Sequence, residues 1–197
     1  VTRTASKDRW RAFPAALALG TALTLLAGLP TSSTAAPPVR TLPEYRLKAA
    51  LLYNIIKFVE WPDSAFPDPA APIVVVVLGR NPFGDALDFL REKTVFGRPI
   101  AVRHAASVAE IPSCHVLYVS SSEREHAGRI LARVRDAGVL TVSDIEGFAH
   151  RGGVVNFVRD GNRLAFEINA EAGRRERLKI DSKLLSLGQP VRPAPRD

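Results

Sequence analysis

The sequence has little of what builds covalent or metal-bound centres. A single cysteine among 197 residues excludes an internal disulfide and any cysteine-rich zinc site. The four histidines, His104, His115, His126 and His150, show neither HExxH nor His-x-His spacing, so no metal site is legible. No GxGxxG dinucleotide fingerprint occurs. Gly79-x4-Gly84 lacks the Lys and Ser/Thr of a phosphate loop; Asp85 and Ala86 stand there, and an acid repels phosphate. Ser120-Ser121-Ser122 has no flanking glycines, so it reads as a helix entry rather than a nucleophile elbow. Cys114 and His115 are neighbours on a strand and point to opposite faces, so they form no dyad with each other. Asp144 and Glu146 stand at a strand end, where open α/β sheets gather ligands; helix capping is the simpler role for them. No catalytic set assembles and no cofactor is implied, so the chain reads as a non-enzyme.

What is present is an ordinary folded composition, 46% apolar and 24% charged residues. The net charge of +7 raises the question of nucleic acid. Part of that charge lies in the first 35 residues. There Arg3, Lys7, Arg9 and Arg11 precede an uncharged stretch from Ala12 to Leu29, followed by a run of small residues ending in Ala35-Ala36. A basic end, an apolar centre and a small-residue exit describe a secretory signal peptide. A transmembrane anchor is the competing reading, but Pro14, Gly20 and Gly28 interrupt the stretch. Cleavage is expected near Ala35 and a periplasmic location follows. With that segment removed, 23 basic and 19 acidic residues remain. They are spread along the chain, and the densest group, Arg174-Arg175-x-Arg177, is broken by Glu176. Nucleic-acid binding needs a concentrated basic face, so nucleic acid is not expected as a partner.

Periodicity predicts the rest. A helix runs from Tyr45 to about Trp61, with Leu47, Leu51, Ile55 and Phe58 at helical spacing, Ile56 and Val59 widening the apolar surface, and Pro62 as its stop. Asn54 falls within the apolar stripe and would need buried partners. Ile73–Leu78 is a β-branched run, read as a strand buried on both faces. A short helix is expected around Asp85–Lys93, then strands at Ile100–Arg103 and Val116–Val119. Ser122-x-x-Glu125 reads as a capping box opening a helix to about Ala137, with Ala127, Ile130, Leu131 and Val134 inside and Gly138 closing it. Val139–Val142 is a further strand and Ile145–His150 a short helix. Val154–Arg159 and Arg163–Asn169 flank Asp160-Gly161-Asn162, a β-hairpin signal. The fold class is therefore α/β, a mainly parallel sheet flanked by helices (a Rossmann-like variant), with a C-terminal β-hairpin. The expected division is 1–35 signal peptide, 36–43 extended lead-in, 44–187 a single domain and 188–197 a loose tail.

Several segments together resemble one family. Lys48-Ala49-Ala50-Leu51-Leu52-Tyr53-Asn54-Ile55-Ile56-Lys57-Phe58-Val59-Glu60-Trp61-Pro62 is similar to the opening signature of the YfiR-like periplasmic proteins. Leu78-Gly79 with Asn81-Pro82-Phe83-Gly84, Cys114-His115-Val116-Leu117, Leu140-Thr141-Val142-Ser143-Asp144, Gly152-Gly153, Leu164-Ala165-Phe166-Glu167-Ile168-Asn169 and Ile180-Asp181-Ser182-Lys183-Leu184-Leu185 follow in order. The resemblance spans roughly residues 44–187. It implies a regulator that dimerises and represses an inner-membrane diguanylate cyclase by binding the cyclase's periplasmic sensor part. That lowers cyclic di-GMP and biofilm formation, and an outer-membrane peptidoglycan-binding lipoprotein relieves the repression. Family members also use paired cysteines. Here Cys114 stands alone, which leaves only an intermolecular disulfide. Glu167 and Asn169 on the hairpin, with Arg175, are the expected partner-binding residues; Asn54, Lys57 and Trp61 form the alternative surface. A small-molecule sensor or an accessory of a histidine kinase system is the competing function.

Overall fold

The structure, a computed structural model, describes residues 42–191. The expected signal peptide, most of the lead-in and the end of the tail lie outside the described residues. In chain order the elements are α1 (Leu42–Lys57), β1 (Val59–Glu60), β2 (Ile73–Leu78), β3 (Thr94–Val95), β4 (Arg98–Ala105), β5 (Val116–Val119), α2 (Ala127–Arg133), β6 (Leu140–Ser143), β7 (Val155–Asp160), β8 (Arg163–Ile168), α3 (Ala170–Arg175), β9 (Lys179–Ile180), α4 (Ser182–Leu187) and β10 (Gln189–Pro190). Eight strands form one sheet in the order β10-β8-β7-β6-β5-β2-β4-β3, and β1 pairs with β9 in a small second sheet. β4, β2, β5, β6 and β7 run parallel. β7 and β8 form the expected antiparallel hairpin, closed from Asp160 to Arg163 across Gly161-Asn162, with Gly161 at φ 57°. The fold is the α/β class that the sequence pattern implies.

The valine run explains itself. Ile73, Val75 and Val77 enter one core cluster, while Val74, Val76 and Leu78 enter another on the opposite face. All six residues of β2 are buried. A central parallel strand covered on both sides has no solvated face for a polar residue to use. Each such side chain contributes about 1.5–3 kcal/mol by leaving water. α1, the 3-10 turn Asp88–Glu92, α3 and α4 supply the first cluster; α2 supplies the second.

Several local expectations change. α1 starts at Leu42, with Pro43 in its first turn, where a missing N–H is harmless. It ends at Lys57, four residues before the expected stop, and residues 59–60 become a strand beside Lys179–Ile180. The tertiary amide of Pro62 pushes Trp61 toward extended backbone, and Phe58 O accepts a hydrogen bond from Asp181 N at 2.9 Å. The capping box is displaced. Ser120 is the cap, accepting from Ser122 N, and a 3-10 turn Ser121–His126 precedes the shorter α2. Asp85–Lys93 and Ile145–His150 are a 3-10 segment and a series of turns rather than α-helices. α3, absent from the sequence reading, is a single short turn and a half capped by Asn169.

Candidate functional site

The buried face of α1 is turned somewhat from the expected one, leaving Leu47 and Asn54 outside it. The buried stripe is Tyr45, Ala49, Leu52, Ile56 and Val59, joined by Ile55 and, unexpectedly, Lys48. Leu47 is 50% exposed and Asn54 lies on the exposed face. Asn54 therefore needs no buried partners. Of the expected apolar residues, Ile55, Ile56 and Val59 are buried and Leu51 and Phe58 are half-buried against the core, so Leu47 is the one turned to solvent.

Lys48, 1% exposed, is held by two carboxylates. Its Nζ lies 2.7 Å from Asp144 Oδ2 and 2.7 Å from Glu44 Oε1, and 4.3 Å from the Tyr45 ring centroid. Tyr45 Oη donates to Asp144 Oδ2 at 2.9 Å, and Arg159 Nη2 donates to Glu44 Oε2 at 2.6 Å. Two cations and two anions thus close a neutral network that ties α1 to the end of β6 and to the hairpin. Burial raises the Glu44 carboxyl, but Lys48 and Arg159 outweigh it and hold the group below its ordinary value. Asp144 is therefore an ion-pair partner of Lys48. The sequence signal for this network was the Glu44/Lys48 spacing of four, read in the phase of Ala49 and Leu52.

Trp61, Cys114 and His115 occupy a second interior region. Trp61 is 8% exposed and its Nε1 donates to His115 O at 3.2 Å. His115 Nδ1 accepts from Val74 N at 3.0 Å, so the ring proton sits on Nε2 and points to Ala65 O, 3.1 Å away. Phe66 stacks on the imidazole at 4.4 Å, and Arg98 lies over the far face of Phe66 at 3.7 Å. Burial lowers the affinity of His115 for a proton; the Ala65 carbonyl opposes this and the Arg98 charge reinforces it. Cys114 is free and buried, and burial pushes its thiol up to about 11. It lines a cavity of about 230 Å³ with Ile111, Arg133 and Val139, at the amino ends of β5 and β6. That volume lies below the range that encloses drug-sized ligands. The carboxyl ends of β2 and β5, where the strand order reverses, are filled instead. A Cβ on Gly79 would meet Ser122 Oγ at 2.5 Å and Glu123 Oε1 at 2.7 Å.

The exposed candidates gather on the hairpin side. Asn169 is not among them. It is 9% exposed, with its side chain accepting from Ala172 N and donating to Ala149 O, both at 2.9 Å. Glu167 is half-buried on β8, 3.6 Å from His150 Nε2. Arg175 ends α3 and is exposed, and its guanidinium shares a cleft with Arg135 and Arg151. Lys57 is exposed at the end of α1 with its Nζ 5.4 Å from the Tyr53 ring centroid. Among the described residues no group of three or more His, Cys, Asp and Glu side chains is placed to hold a metal. No helix among them is long and apolar enough to cross a membrane.

The YfiR/HmsC-like family profile matches residues 45–189, most of the chain. The chain belongs to the YfiR/HmsC-like family. Its signature pieces now have places. Trp61 and His115 meet in the second interior region, while Lys48 and Asp144 form the ion pair. This family is one of periplasmic regulators rather than enzymes. No curated protein matches the sequence. Among solved structures, a conserved domain protein from Vibrio cholerae aligns with TM-score 0.52 at 12% identity. It covers 75% of this chain and 60% of its own. The ABC domain in complex with L-Trp from Streptococcus pneumoniae aligns with TM-score 0.50 at 10% identity and the same coverage. At such identities the likeness is one of α/β fold alone. This YfiR/HmsC-like chain spans about 60% of the length of either structure.

Proposed function

We propose that the protein is an exported, non-enzymatic regulator that binds the periplasmic sensor part of an inner-membrane diguanylate cyclase and represses it. The family match over residues 45–189 carries this reading. The structure supports a role by surface contact, since its ionisable interior groups are spent on packing: Lys48 on Asp144, His115 on two backbone groups. The contact surface is the hairpin side, with Glu167 and His150 at its centre and Arg175 at its margin. Asn54 and Lys57, on the outer face of α1, are the second surface. Asn169 and Trp61 act beneath these surfaces as a helix cap and a core anchor. Residues 1–35 serve as the cleaved export signal. A homodimer presents the surface twice, and a peptidoglycan-binding lipoprotein competes for it.

The test is deletion of the gene in a strain that retains the cyclase, with cyclic di-GMP measured directly. A rise is expected, reversed by the wild-type gene and reversed less by a Glu167→Lys allele. An unchanged level with the cyclase intact overturns the repressor role.

A further inference from the structure

Three arginines far apart in sequence meet in one cleft. Arg135 follows α2, Arg151 lies in the turns after β6, and Arg175 ends α3. All three are exposed. Like charges at one spot repel unless anions neutralise them. Yet among the described residues none of the three has a carboxylate oxygen within ion-pairing distance. The acid in the lining, Glu176, is engaged by backbone N–H groups. It is 8% exposed, and its two oxygens accept from Asp136 N at 3.1 Å and Gly138 N at 3.0 Å.

The cleft is also held in shape. Arg151 donates Nη2 to Glu146 O at 2.6 Å and Nε to Gly147 O at 3.4 Å. A guanidinium carries five N–H donors, so these two bonds orient the group and leave donors to spare. Gly152 is also in the lining, and its φ of 103° is a conformation that favours glycine. A Cβ there would stand 3.6 Å from Arg175 Nη2, an ordinary contact. The space between the side chains is about 20 Å³, room for about one water molecule, so a larger anion would rest at the mouth of the cleft with much of its surface in solvent.

We infer that Arg135, Arg151 and Arg175 form a binding site for a phosphate group. Rigid guanidinium forks match phosphate oxygens by paired N–H donors. Three arginines lining one cleft offer more donors than a planar carboxylate, which a single fork satisfies, and so suit a tetrahedral group with several acceptor oxygens. The phosphate is either free or carried by a lipid headgroup. Arg175 also stands at the margin of the proposed contact surface, but the test uses only the purified protein and does not depend on the cyclase.

The probes are inorganic phosphate, acetate at equal ionic strength, and vesicles of phosphatidylglycerol, each titrated into the folded chain by calorimetry or co-sedimentation. Phosphate is expected to bind and acetate to bind at least about tenfold more weakly. Arg135→Ala and Arg175→Ala should each weaken phosphate about tenfold or more, and the pair should abolish it. Arg163→Ala, on the hairpin turn, should change nothing. Binding of the vesicles without binding of free phosphate, lost in the same double variant, assigns the site to a headgroup. The inference is overturned if neither probe binds, if acetate binds as tightly as phosphate, or if the double variant binds like the wild type. Circular dichroism of each variant separates loss of a ligand contact from loss of fold.

Discussion

Two clusters of positive charge sit at the two ends of the turn after β6, and they are built in opposite ways. At Asp144, where the turn begins, Lys48 is buried and answered at 2.7 Å by each of two carboxylates. At Arg151, further along, three exposed arginines line a cleft together with Glu176, and none of the three is ion-paired among the described residues. Desolvation explains the difference. A buried charge without its counter-charge is too costly to keep, so Lys48 must be matched inside the chain. Exposed charges are screened by water and cost little unmatched, so the arginines remain available to a ligand from outside. One cluster belongs to folding and the other to recognition.

Breaking the first cluster has the largest expected effect. Asp144→Ala leaves Lys48 buried with only Glu44, and should cost about 3–5 kcal/mol in urea unfolding. Removing both charges, as Lys48→Met with Asp144→Leu, should cost less than Asp144→Ala alone. A double variant as unstable as the single one would show that packing, rather than charge, sets the value of the pair.

The link between the clusters can be strained next. A Cβ on Gly153 would stand 2.2 Å from Phe148 Cε1, and Phe148 is fully buried. Gly153→Ala should lower stability by about 1–3 kcal/mol and weaken phosphate binding as Arg151 shifts with the turn. An unchanged melting temperature would mean that Phe148 repacks freely.

Acid should act on the interior groups and spare the cleft. His115 binds a proton less readily in the folded chain than its ordinary value of 6.5. The unfolded chain then takes up more protons, so this contribution is complete above pH 6.5 and fades as pH falls from there through the folded value. Protonation would also set an N–H against the Val74 N–H. Glu44, held below 4.5 in the folded chain, adds a second loss as pH falls below that point. Melting temperatures between pH 7.5 and 4 should show both steps, and His115→Gln should flatten the upper one. An upper step that persists in His115→Gln assigns it to another group.

The smallest effects on stability belong to the cleft. Arg135→Ala and Arg175→Ala should each change unfolding free energy by less than about 0.5 kcal/mol. A larger loss would move the arginines into the structural class with Lys48 and sharpen the comparison against a binding role.

Much of the fold was legible because it depends on short-range pattern. Ile73–Leu78 and Val116–Val119 are strands with the expected bounds, and Gly161-Asn162 closes the hairpin. A β-branched run and a turn dipeptide carry their preference in the backbone and need no partner to declare it. α1 was legible as a helix, and Ile55, Ile56 and Val59 face inward as expected. Only the sheet decides that the face extends to Tyr45, Ala49 and Leu52, with Lys48 among them, and leaves Leu47 outside. Its last turn became β1 because Lys179–Ile180, more than a hundred residues away, lies beside it.

The site divides along the same line. Glu167 and Arg175 were visible as polar residues in the hairpin region, yet nothing in the order of residues shows that Asn169 turns inward to cap α3. Nor does it show that Arg135 and Arg151 arrive beside Arg175. The sequence by itself determined the class of fold, the longer central strands, the hairpin and the single thiol that has no partner in the chain. Tertiary structure alone decided which charges are answered inside and which are left open. Coulomb attraction and desolvation depend on distance in space, and periodicity along a chain records only the distance between neighbours.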